Sequence, residues 1–72
     1  MARTVTLATF PLPDRDEPYW QVNVAGMPAI RETTSQTDAT RAFERICAEQ
    51  STHGCKVERR FWDGYNGVET TL

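Results

Sequence analysis

Few side chains in this 72-residue chain could carry covalent or acid–base chemistry: one histidine, His53, and two cysteines, Cys47 and Cys55, among ten Asp and Glu. His53 stands directly before Gly54. A glycine there suits a left-handed helix cap, and a protonated imidazole suits the helix C-terminal dipole, so a helix-end role outweighs general-base work. No Ser-His-Asp set, Gly-rich phosphate loop or Walker-type lysine accompanies it. Cys47, His53 and Cys55 offer three ligands where a structural zinc site takes four, at spacings unlike those of zinc sites. The expectation is a chain with no catalytic residue, no metal and no cofactor. The cysteines read as small core residues with free thiols, a Cys47–Cys55 bridge being the alternative in an oxidising setting.

Two charged groupings suit recognition better than catalysis. Asp14, Asp16 and Glu17 lie between Pro13 and Pro18 and present phosphate-like charge to a basic groove on a partner, which speeds encounter and fixes register; a solvated loop is the plain alternative. Lys56, Arg59, Arg60 and Trp62 form a basic and aromatic run of the kind that contacts single-stranded nucleic acid, interrupted by Glu58 and Asp63. The formal charge of -2 argues against a free-standing nucleic-acid binder, whose affinity rests on phosphate neutralisation. No apolar run approaches the roughly 18 residues of a membrane span, and the first residues lack the apolar core of a secretory signal. A cytoplasmic protein is expected.

The elements that position these residues follow from period and punctuation. Thr4 to Phe10 alternates as a strand, with Val5 and Leu7 on one face and Thr4, Thr6, Ala8 and Phe10 on the other. Pro11, Pro13 and Pro18 enclose an exposed acidic loop. Tyr19 to Ala25 alternates again and is the central-strand candidate, with Trp20, Val22 and Val24 opposite Tyr19, Gln21 and Asn23. Gly26-Met27-Pro28 turns the chain into a polar strand, Ala29 to Thr34, pinned to the core by Ile30. Ser35 or Thr37 caps a helix in which Ala39, Ala42, Phe43, Ile46 and Cys47 recur at three-four spacing. Cys55 to Trp62 is a strand with Cys55, Val57 and Phe61 opposite Lys56, Glu58, Arg60 and Trp62. Asp63-Gly64 and Asn66-Gly67 compete for the closing hairpin turn, and Asn66-Gly67, pairing Tyr65 with Val68 and Phe61 with Leu72, is preferred.

The sum is one small α+β domain over residues 1–72, in the order β-β-β-α-β-β. A single helix packs on one face of an antiparallel sheet of four to five strands. One helix leaves the other face open, with Tyr19, Gln21, Asn23, Lys56, Glu58, Arg60 and Trp62 outward. Asp14, Asp16, Glu17, Tyr19, Arg60 and Trp62 are the expected partner-binding residues, the aromatics alternatively supporting a second small core or a homodimer seam. A free edge strand suits a second copy equally.

In Thr4-Val5-Thr6, the Pro-containing loop and Tyr19-Trp20-Gln21-Val22-Asn23-Val24, and in its order of elements, the chain resembles small phage-encoded anti-CRISPR proteins that act on type I surveillance complexes. One such family has a strand with a Tyr-x-Val-Asn-Val core; an extra Trp20 between Tyr19 and Gln21 departs from it. The likeness covers most of the chain as architecture and about the first third as residue pattern. It implies a non-enzymatic viral inhibitor in the host bacterial cytoplasm. Such an inhibitor docks on a protein or ribonucleoprotein subunit of a CRISPR effector and blocks DNA recognition or nuclease recruitment. A second resemblance is to a small antitoxin domain, a hairpin followed by a helix, which masks the surface of an RNase toxin. Both imply a small regulatory binding module.

Overall fold

The computed structural model describes residues 2–28 and 30–72. Five strands and one helix follow one another as β1 (Ala2–Phe10), β2 (Tyr19–Val24), β3 (Arg31–Thr33), α1 (Gln36–Thr52), β4 (Lys56–Asp63) and β5 (Val68–Thr71). The element order is the expected one.

Strand alternation builds the inner face. Val5 pairs with Val24, Leu7 with Val22 and Thr9 with Trp20, and the five apolar members of these pairs form the sheet's side of the core under the helix. The helix supplies Ala39, Ala42, Phe43, Ile46 and Cys47, the three-four stripe read from the sequence. Phe43, Val5, Val22 and Val24 are the largest side chains wholly removed from water. Truncating Phe43 would cost about 3–5 kcal/mol, a large share of the stability of a domain this size.

Both helix ends are satisfied locally. Ser35 is the N-cap, its Oγ accepting from the Asp38 N–H at 3.2 Å. At the other end Gly54 donates to the Ser51 carbonyl and Cys55 to the Gln50 carbonyl, a Schellman closure in which Gly54 takes φ +81°. His53 is the C-cap residue and is exposed. Both cysteines are free, Cys47 buried and Cys55 half-buried.

The sheet order is β3-β2-β1-β4-β5, and it corrects the expectation of an antiparallel sheet: β1 and β4 are parallel. Two antiparallel steps leave β3 running the same way as β1. The helix then carries the chain back along the sheet, so β4 must again run with β1. The central strand is β1 rather than β2: it stands third of five, with Val5–Phe10 paired to β2 and Ala2–Thr9 paired to β4.

Two further expectations change, and one residue is more buried than its face suggests. The third strand is shorter than Ala29–Thr34; Ile30 is 41% exposed and pins nothing, whereas Arg31 reaches the helix through Asp38. Ala29 lies outside the described residues. Ala8 points to the outer face as expected, yet it is buried, because it sits in one row between Gln21 and Trp62. Neither expected hairpin register forms: Asp63 pairs with Val68 and Phe61 with Thr70 around a four-residue loop, Gly64–Gly67.

The cause of that register is Gly64. Its N–H donates to the Thr9 carbonyl at 2.7 Å, which extends the pairing with β1 and keeps Gly64 out of a tight two-residue turn with Asp63. Asp63 closes the loop instead, its carboxylate accepting from the N–H groups of Tyr65 and Asn66 and from the Asn66 side chain. A Cβ on Gly64 would stand 2.4 Å from the Phe10 Cβ and 2.8 Å from the Thr9 oxygen. Gly64→Ala is expected to lose about 1–3 kcal/mol in urea denaturation through this overpacking. Stability equal to that of the native chain would mean that β4 and β1 do not approach this closely.

Candidate functional site

The outer face of the sheet is a lattice of polar side chains interrupted by aromatics. Strand registers place Glu32, Gln21, Ala8, Trp62 and Glu69 in one cross-strand row and Asn23, Thr6, Arg60 and Thr71 in the next. Gln21 donates through Nε2 to Glu32 at 3.2 Å and to the Tyr19 hydroxyl at 3.4 Å, and Asn23 donates to the Gln21 carbonyl oxygen at 2.9 Å. The Tyr19 ring meets Phe10 edge-on at 5.0 Å. Burial, and then the neighbouring Glu32 carboxylate, push the Tyr19 hydroxyl up from its ordinary value, so it stays a neutral donor and acceptor.

Of the six expected partner-binding residues, the structure gathers some and separates others. Asp14, Asp16 and Glu17 are exposed on the loop from β1 to β2. Asp14 and Tyr19 share an open cleft of about 420 Å³ with Leu12, Arg15, Glu32, Thr33 and Thr34. Arg60 and Trp62 stand on the same outer face but on β4, with β1 between them and Tyr19. Glu32 was not foreseen as part of the site; the β2–β3 register, which sets it opposite Gln21, puts it there.

The basic and aromatic run on β4 does not form one patch. Residues 59 and 60 are consecutive on a strand and so point to opposite faces. Arg59 lies on the helix side, its guanidinium 5.2 Å from the centre of the Phe43 ring and paired with Glu44. Arg60 lies on the outer side and is bracketed by Glu58 at 3.0 Å and by Glu69. The two carboxylates raise the Arg60 pKa, and Arg60 in turn holds Glu58 below its ordinary value. Both arginines are thus neutralised within the chain. Among the described residues, ion pairs also join Arg31 to Asp38 and Arg45 to Glu49, while Asp14, Asp16 and Glu17 enter none.

Nothing around His53 resembles an acid–base site. It lines neither the cleft beside Tyr19 nor those bounded by Cys47 and by Lys56. Burial raises the Cys47 thiol above its ordinary value, the opposite of what an activated nucleophile needs. Among the described residues no three His, Cys, Asp or Glu side chains gather as a metal site, and no helix is long and apolar enough to cross a membrane. Compared with protein-family models, with curated proteins and with solved structures, the chain matches none.

The ion pairs set an acid limit on the fold. Arg31 lowers the Asp38 pKa, Arg60 lowers that of Glu58, and the Asn66 side chain lowers that of Asp63. A depressed carboxyl contributes stability that is complete above its unfolded value and is lost as pH falls through its folded one. With ordinary values of 3.8 for Asp and 4.5 for Glu, the thermal midpoint should fall as pH drops below that range. The double variant Asp38→Asn, Glu58→Gln should show a shallower fall. An identical slope in the two proteins would show that these pairs do not couple to folding.

Proposed function

We propose that this chain is a non-enzymatic protein-binding inhibitor that docks its acidic end on a basic surface of a protein or ribonucleoprotein partner. The observation that carries the reading is the division of charge. The arginines of β4 are satisfied by Glu44, Glu58 and Glu69, whereas Asp14, Asp16 and Glu17 project from a proline-bounded loop and enter no ion pair. Complementary charge on a partner would find these carboxylates unengaged, so docking breaks no internal pair. Tyr19 beside them adds a half-buried aromatic whose hydroxyl is held by Gln21, the kind of side chain that anchors an interface.

The same division argues against direct nucleic-acid binding, since Arg59 and Arg60 are already paired, Lys56 is the one cation of β4 outside the ion pairs, and the loop carboxylates repel phosphate. The resemblance to anti-CRISPR proteins names the first partner to try, a subunit of a type I surveillance complex or its nuclease, whose nucleic-acid path is basic. Docking there would obstruct DNA recognition or nuclease recruitment from the bacterial cytoplasm.

The test is capture of partners from a bacterial host by the native chain and by the triple variant Asp14→Lys, Asp16→Lys, Glu17→Lys. Association kinetics with the captured protein follow, at two salt concentrations. The variant should associate about tenfold or more slowly at low salt, the difference shrinking as salt rises. Equal association rates at low salt would rule out the acidic loop as the docking element. Tight, salt-sensitive binding of the native chain to single-stranded DNA or RNA would overturn the reading altogether.

A further inference from the structure

The two edges of the sheet are unequally protected. β3 is three residues long, carries Arg31 and Glu32, and is tied to the helix by the Arg31–Asp38 pair; shortness, charge and cover are the usual means of blunting an edge. β5 is one residue longer and lacks the cover. Its four residues are all exposed, three are β-branched, none is Pro or Lys, and its one charge, Glu69, is already engaged by Arg60. The helix touches β1, β2, β3 and β4 but not β5, so Val68 (51% exposed) and Leu72 (59% exposed) continue the inner face beside Phe61 with nothing over them.

The backbone of β5 also shows which groups are free. The Leu72 N–H donates to the Arg59 carbonyl at 2.8 Å. Antiparallel bonds alternate, so Thr70 and Leu72 turn their main-chain groups to β4, and Glu69 and Thr71 turn theirs away from the sheet.

We propose that β5 pairs antiparallel with β5 of a second copy of this chain, about a two-fold axis through Thr70, joining two five-stranded sheets into one of ten strands. In that register Glu69 meets the partner's Thr71, and Thr71 meets the partner's Glu69. Every outward N–H and C=O of the two residues is then matched, giving about four main-chain hydrogen bonds. On the helix side Val68 lies against the partner's Leu72 on both sides of the axis, which extends the apolar strip that begins at Phe61. On the outer side the row that runs from Arg60 through Thr71 continues to the partner's Glu69. Each Glu69 is therefore flanked by an arginine of its own chain and, about two strand spacings away, by the partner's Arg60.

Charge selects this register. An axis through Glu69 would set two carboxylates directly opposite each other, which is destabilising. An axis through Thr71 would leave the Glu69 groups unmatched within β5. The contact is also self-complementary, as a two-fold interface must be. It is smaller than the roughly 1,200–2,000 Å² of a standard stable interface, so the dimer forms and dissociates with concentration. The pairing uses the sheet edge away from the acidic loop and does not depend on the docking role proposed for that loop.

Sedimentation equilibrium from micromolar to millimolar protein tests the proposal, with amide exchange as a second readout. The mass should rise from 8.2 kDa toward twice that value, and the Glu69 and Thr71 amides should exchange more slowly as concentration rises. Thr71→Pro removes an outward N–H while sparing every β4–β5 hydrogen bond, and should weaken association about tenfold or more with an unchanged thermal midpoint. Leu72→Lys, which puts two cations against the Val68 contacts, should do the same without touching the backbone. A mass of 8.2 kDa throughout the range would overturn the proposal. So would a folded Thr71→Pro or Leu72→Lys chain that associates as the native one does.

Discussion

One helix has to close a five-stranded sheet, and its width decides what the rest of the molecule does. Five strands about 4.8 Å apart span roughly 19 Å between the outer two, whereas a helix with its side chains is about 10–12 Å across. The α1 helix therefore lies over the middle of the sheet. It buries Val5, Val22 and Val24 against Phe43 and reaches β3 and β4 at its flanks, but it does not touch β5. Everything exposed and apolar on the inner side follows from that shortfall, as does the wholly uncovered outer face.

The chain manages the uncovered surface by pairing charges within itself. Arg59 spreads over the rim of the core, its guanidinium near Phe43 and held by Glu44, so a charged side chain finishes what the helix does not cover. On the outer face Arg60 stands between Glu58 and Glu69, and Gln21 links Glu32, Tyr19 and Asn23. Exposed pairs of this kind contribute little stability one by one. Their larger effect is on recognition: Arg59 and Arg60 are presented as neutralised pairs, whereas the three carboxylates of the Asp14–Glu17 loop are left unengaged. The acidic loop and the β5 edge are thus two consequences of one economy of size.

Local pattern was legible in the sequence and pairing was not. The Ser35 cap, the helix stripe from Ala39 to Cys47 and the alternation of Trp20, Val22 and Val24 are written in residues a few positions apart, and each appears where period and punctuation put it. The parallel pairing of β1 with β4 depends on where the helix returns the chain, so the order of strand types alone could not reveal it. The hairpin register failed for the same reason. Gly64 looks like half of a two-residue turn until β1 is seen to occupy its N–H, a contact with Thr9 more than fifty positions away. At the candidate site, alternation already separated Arg59 from Arg60; grouping them by composition hid that they face opposite sides. The exposure of the acidic loop was readable because three prolines exclude both helix and inner strand, while the placement of Glu32 beside Tyr19 needed the β2–β3 register.

The central claim is that stability is concentrated under the helix and falls away toward β5. Native-state amide exchange on dilute protein, below the concentration at which copies associate, measures this strand by strand. The account predicts the slowest exchange in β1 and in the amides its neighbours turn toward it, Gln21 and Asn23 on β2 and Arg60 and Trp62 on β4, and fast exchange for the outward amides of Glu69 and Thr71 and for the Asp14–Glu17 loop. Outward β5 amides protected in the dilute monomer as strongly as those of β1 would contradict it, because something in the chain would then be covering the edge.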